Sequence, residues 1–276
     1  MMQPTKRNRS LIIFLFMCIA LFWVLPLIFM ILNSLKSFQE VTVNTLSFPK
    51  SLYFGNYEEV WVKANYFTLF SNTLLITLVS LVGIVITSSM AGYFLARMKR
   101  YGNIIIFIFG IGIIVPFQGI MIPLIQTIND FGLIDSKLVL IFVYIAQLSP
   151  MAIFLYYAQV KSVPLSLEEM AQIDGAGPIR IFFKIVFPQL RSITATVVVL
   201  NSLWIWNDFL LPLLIIQSDR NKTLALGTYA LFTGQYATKA NLSMTAIFMA
   251  SIPMIILYFS AQKYIIGGVT AGAVKE

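Results

Sequence analysis

Six separate runs of about 20 apolar residues dominate the sequence, at about 11–32, 72–96, 103–125, 138–157, 192–216 and 243–266. In hydrocarbon the backbone N–H and C=O groups find no water and must bond one another, so a segment of this length and composition is stable there as a helix. Asp208 is the one acidic residue inside the runs. The runs take up roughly half of the 276 residues and leave no room for a separate soluble domain. The expected fold is therefore all-α, a polytopic membrane protein with six transmembrane helices in a single domain over 1–276.

Composition agrees. Hydrophobic residues make up 59% and charged residues 11% of the chain, against about 25% charged in a soluble domain. The first run follows Lys6, Arg7 and Arg9, like a signal peptide. It is longer than the 7–15 apolar residues of such a segment and no small-residue cleavage site follows, so it reads as a retained helix. With the N-terminus inside, twelve of the 19 Lys and Arg fall in cytoplasmic segments and seven in outer loops, which places both termini in the cytoplasm. The net charge of +8 then belongs to basic loops on the inner face, beside anionic lipid, and implies no nucleic acid.

Several chemistries are excluded. The chain has no His and a single Cys, Cys18. A His-based triad, a Cys or His metal site and an intramolecular disulfide cannot be written. None of the 15 Gly precedes Lys, so there is no phosphate loop of the GxxxxGK[ST] kind. No catalytic residue, metal or cofactor is expected, and any use of ATP requires another chain.

The cytoplasmic stretch 159–191 is the exception among the connections. Pro164 breaks the fourth run, and Ser166 and Glu169 have the S-x-x-E spacing of a capping box at a helix start. The helix should stop at Asp174-Gly175. Pro178 suits the first turn of a second helix, and Pro188 marks the approach to the fifth run. The expected product is a helical elbow outside the bilayer, with Leu167, Met170, Ala171 and Ile173 as an apolar surface for a cytoplasmic partner. A hinge that merely caps itself is the alternative at this stage.

The segment from Val163 through Ser166, Leu167, Glu168, Glu169, Met170, Ala171, Ile173, Asp174 and Gly175 to Ile185 and Pro188 resembles the E-A-A-x3-G-x9-I-x-L-P signature of ABC importer permeases. Glu169, Ala171, Gly175, Ile185 and Pro188 match its acid, second alanine, glycine, isoleucine and proline. Met170 and Phe187 depart from it, apolar for apolar. Pro116-Phe117-Gln118, Trp206-Asn207-Asp208-Phe209 and the glycine-rich end from Gly267 are similar to the maltose-type carbohydrate importers, whose smaller six-span permease is the nearest likeness. The resemblance implies residence in a bacterial cell membrane as a heterodimer with a second permease, two cytoplasmic ATPase subunits and an extracytoplasmic sugar-binding protein. It makes residues 159–191 the ATPase-coupling loop and Gly234, Gln235 and Tyr236 a scoop that enters the binding protein.

Polar groups inside spans face a protein interior or a water path. Thr194, Asn201, Trp204 and Asp208 are spaced by seven, three and four, one face of a helix. They, with Gln118 beside Pro116 and Gln147 near Pro150, are the candidate substrate pathway. Interhelical hydrogen bonds and aromatic-belt positions would account for the same residues. A self-contained ion-driven secondary transporter or channel is the rival reading.

Overall fold

The computed structural model describes residues 6–233 and 239–273. Those residues form α1 (Lys6–Ser34), α2 (Phe38–Val43), α3 (Gly55–Lys63), α4 (Tyr66–Arg97), α5 (Gly102–Ile114), α6 (Phe117–Asp130), α7 (Lys137–Lys161), α8 (Ser166–Ile173) and α9 (Pro178–Ile181). A π-helical turn (Phe182–Val186) leads to α10 (Phe187–Gln189), α11 (Arg191–Asn207), α12 (Leu210–Ile215), α13 (Leu224–Thr233) and α14 (Ala240–Ala273). No strand occurs among the described residues.

Among the described residues, four helices are long and apolar enough to cross a bilayer unbroken: Ile12–Ser34, Tyr66–Arg97, Lys137–Lys161 and Ala240–Ser260. Six spans result only if each of two bent pairs is counted as one. The third run, expected as one helix over 103–125, is such a pair. Its halves α5 and α6 meet at 89°, because a residue before proline is pushed out of the helical region. Val115 takes φ −69° and ψ 114° ahead of Pro116, which is itself extended at ψ 138°.

The fifth run, expected over 192–216, is also divided. α11 ends at Asn207, Asp208 is extended at ψ 128°, and α12 restarts at Leu210. The cause is local. Asp208 Oδ1 accepts the N–H of Leu210 at 3.0 Å and Oδ2 accepts the Tyr144 hydroxyl at 2.8 Å. An Asp side chain thus takes over a backbone donor that helix continuation would have used. At its N-terminal end α11 joins the Pro178–Gln189 segment at 77°.

The chain divides into two compact units, Met1–Phe67 with Gly227–Ile252, and Thr68–Leu226 with Pro253–Glu276. In the first unit the centre is polar. Buried Asn56 donates to the carbonyls of Ser34 and Lys36 at 2.8 and 2.7 Å, and its Oδ1 accepts from Asn241 Nδ2 at 2.7 Å. Lys36, which charge counting places in a solvated outer loop, is fully buried and donates to Asn33 Oδ1 and to the carbonyls of Asn44 and Thr45. Burial pushes its ammonium pKa down.

The second unit is built on α7. Leu140, Ile141, Tyr144, Ala152, Tyr156 and Val160 from this helix enter a core with Ile84 of α4 and Val186, Leu190, Val197 and Ile215. Helix α4 lies close against it. A Cβ on Gly92 would sit 2.7 Å from Tyr156 Cβ and 2.9 Å from the Tyr157 nitrogen, so only glycine lets the two backbones approach this far.

Candidate functional site

The elbow between α7 and α11 forms as a pair of short helices, and its turn follows from Gly175. That residue has φ +78°, the left-handed conformation. Its N–H reaches the Gln172 carbonyl at 3.0 Å and the Ala176 N–H reaches the Ala171 carbonyl at 2.9 Å, the paired bonds of a Schellman helix end. Pro178 then opens α9 at its first turn.

The capping box is not realised. The N-cap of α8 is Leu165, without a side-chain bond. The Pro164 carbonyl accepts from Leu167, and the Leu165 carbonyl accepts from Glu168 and Glu169. The Glu169 N–H that Ser166 would have served already has the Leu165 carbonyl as its partner, and both side chains are exposed.

The carboxylate that holds the elbow is Glu168. Its side chain is 3% exposed, and Oε1 accepts from Arg97 at both Nε (2.8 Å) and a terminal guanidinium nitrogen (2.7 Å). Oε2 accepts the Tyr93 hydroxyl at 2.7 Å. Arg97 also donates to the Val163 carbonyl at 2.8 Å. The end of α4 therefore grips both the exit of α7 and the first turn of α8. Tyr93 packs its ring on Phe182 with centroids 5.3 Å apart, and Phe182 contacts Phe183 and Phe187 in turn.

Glu168 belonged to the expected coupling set, but Arg97 and Tyr93 did not. They lie more than 70 positions away in the sequence, and no local spacing links them to Glu168. The π-helical turn that follows, closed by the Phe187 N–H to the Phe182 carbonyl, precedes Pro188. Such widened turns concentrate at functional sites.

The expected docking face is divided by the fold. Leu167 and Ala171 turn into the core, with Ile185 half-buried beside them. Met170 and Ile173 point outward, Ile173 at 85% exposed, and are joined by Ile179 and Phe183. Gly177, Pro178, Ile179, Arg180, Phe183 and Lys184 line an open hollow next to them. Asp174 and Pro188 are exposed. The result is an apolar knob rimmed by basic residues.

The residues of the fifth run do not share one open face. Asn201 is buried at 8% exposure and gives its amide to the Val197 carbonyl at 2.7 Å, whereas Trp204 is 68% exposed. Thr194 accepts the Tyr156 hydroxyl at 3.1 Å. Asp208 lies past the helix end, tied to Tyr144. Gln118, in the first turn of α6, and Gln147 of α7 are exposed. Gly234, Gln235 and Tyr236 lie outside the described residues.

Residues 83–270 match the family described as "Binding-protein-dependent transport system inner membrane component". The chain is 40% identical over 276 residues, 100% of both chains, to a probable starch degradation products transport system permease protein, AmyC, of Thermoanaerobacterium thermosulfurigenes. It is 36% identical to the melibiose/raffinose/stachyose import permease protein MelC of Bacillus subtilis, over 91% of each chain. In fold it is similar to a chain in the crystal structure of a bacterial ABC transporter involved in import of the acidic polysaccharide alginate. The TM-score there is 0.79 at 23% identity, covering 96% of this chain and 99% of that one.

Proposed function

The chain belongs to the binding-protein-dependent transport system inner membrane component family, and from that premise we propose that it forms half of the membrane pathway of an ATP-driven carbohydrate importer. A second permease completes the pathway, two ATPase subunits bind on the cytoplasmic side, and an extracytoplasmic binding protein delivers an oligosaccharide. Both termini lie in the cytoplasm. The substrate class follows the relatives, whose names specify starch degradation products and melibiose, raffinose or stachyose.

The elbow is the observation that carries this reading. It presents Met170, Ile173, Ile179 and Phe183 to the outside, while the Glu168 carboxylate fixes it to α4 through Arg97 and Tyr93. An apolar knob seated in a groove of the ATPase would move with that subunit. The buried ion pair and the core around α7 would pass the movement to α4, α7 and α11 as a rigid-body rotation. Trp204, Gln118 and Gln147 are the exposed groups suited to a sugar, an indole for the ring face and amides for hydroxyls. Asn201 and Asp208 hold the shape of the pathway from inside it.

Membrane vesicles from a strain lacking the chain test the reading. ATP-dependent uptake of maltooligosaccharides or raffinose-type sugars, measured with the binding protein present, should return when the chain is restored. Uptake at the same rate without it would refute the assignment.

A further inference from the structure

At the end of α7 remote from the elbow, an acid outside the proposed pathway holds two segments together. Asp135 has φ +64°, a conformation costly for a residue with a side chain unless its surroundings enforce it. Its surroundings do. The Asp135 N–H donates to the Ile215 carbonyl at 2.8 Å, and Oδ1 accepts the N–H groups of Gln217 and Ser218 at 3.0 and 2.9 Å. The Asp135 carbonyl accepts Asn221 Nδ2 at 2.8 Å. A second tie runs beside it. Lys137, the first residue of α7, donates to Asn72 Oδ1 at 2.9 Å, and Asn72 Nδ2 donates to the carbonyls of Arg220 and Lys222.

We propose that Asp135 is a positioning residue for transport: it clasps segment 215–221 to the head of α7, so that a displacement of the elbow travels along this helix to that segment. The inference rests on reading the chain as an ATPase-coupled permease. Helix α7 is 25 residues, about 38 Å at 1.5 Å per residue, which sets the clasp and the elbow at opposite ends of one element. Tyr144 and Tyr156 fasten Asp208 and Thr194 to α7 on the way. Packed and hydrogen-bonded groups therefore run from Val163 to Ser218, the kind of network that can carry coupling between distant sites. Segment 215–221 leads into the outer loop that the binding protein would meet, so the clasp is where arrival of loaded binding protein is communicated inward.

The test uses the complete complex in lipid nanodiscs, with ATP hydrolysis measured with and without sugar-loaded binding protein. Asp135→Gly relieves the backbone and removes the carboxylate; Asn221→Ala removes one bond and leaves Asp135 in place. Both should assemble and keep the unstimulated rate, with stimulation falling at least about fivefold in Asp135→Gly, as expected for a lost coupling between sites, and less in Asn221→Ala. Asp135→Asn, which tolerates positive φ and keeps an acceptor for the two amides, should retain intermediate stimulation. Wild-type stimulation in both Asp135→Gly and Asn221→Ala would overturn the clasp alone. A wild-type complex with no hydrolysis would refute the importer reading, and the clasp's role with it.

Discussion

Arg97 and Glu168 meet at the elbow between α7 and α11, where one carboxylate oxygen takes two guanidinium bonds at 2.8 and 2.7 Å and the other takes the Tyr93 hydroxyl. The carboxylate side is 3% exposed and the arginine side 21%. Removing either partner strands a desolvated charge, which costs about 3 kcal/mol or more. Arg97→Ala should lower the thermal unfolding midpoint in detergent and uncouple ATP hydrolysis from uptake. Arg97→Lys should not restore coupling, because a single ammonium cannot also reach the Val163 carbonyl. An unfolding midpoint and coupling ratio equal to wild type in Arg97→Ala would show that the pair holds nothing.

Gly175 has open space where a Cβ would lie and φ +78°, so substitutions there report backbone strain alone. The left-handed conformation costs an ordinary residue about 1–2 kcal/mol, and a β-branched residue more. Uptake should fall in the order Gly, Asn, Ala, Val at position 175, with membrane insertion unchanged. Equal uptake by Gly175→Val would mean that the Schellman turn does not set the elbow.

The 89° break between α5 and α6 makes a distance prediction. At 1.5 Å per residue, Gly102–Asp130 would span about 42 Å if straight, and about 29 Å with perpendicular arms. Spin labels near the two ends should report the shorter distance, and Pro116→Ala should move part of the population toward the longer one. An unbent distance in the wild-type chain would contradict the break.

The clasp at Asp135 has a pH signature. Ser218, through its hydroxyl dipole and its N–H, with the Gln217 N–H and the Asn221 amide, holds the Asp135 carboxyl well below the usual carboxylate range. A lowered folded pKa means stabilisation that is complete above the unfolded value, about 3.9, and is lost as pH falls through the folded value. The Gln217 and Ser218 amides should therefore resist hydrogen exchange down to about pH 4 and lose protection only in stronger acid. Asp135→Ala should expose them at neutral pH. Protection already half lost at about pH 4 or above in the wild-type chain would show a carboxylate that is not held below its ordinary range.

Much of this architecture was legible in the residues, and what was not has physical reasons. Apolar length revealed α1, α4, α7 and most of α14, because desolvation acts on each segment by itself. Gly175 and Pro178 marked the elbow, because backbone conformation at glycine and proline is a local property. The break at Val115-Pro116 lies within a run that reads as one helix over 103–125, since apolar length carries no direction and the angle depends on what each half packs against. Glu169 drew attention as a cap while Glu168 carried the ion pair, for burial is decided by α4 and not by spacing within α8. Arg97, Tyr93 and Asp135 gave no signal, as their partners lie 66 or more positions away. The stripe at Asn201, Trp204 and Asp208 assumed one continuous helix, which the extended backbone at Asp208 interrupts.

Site-directed crosslinking tests the central claim most directly. With Cys18→Ser as background, Ile173→Cys places a lone thiol on the exposed apolar tip of the elbow. In the assembled transporter a short bifunctional reagent should join it to the ATPase subunit, and joining should stop sugar uptake. Crosslinks to extracytoplasmic protein alone, or full uptake after quantitative joining to the ATPase, would contradict the account.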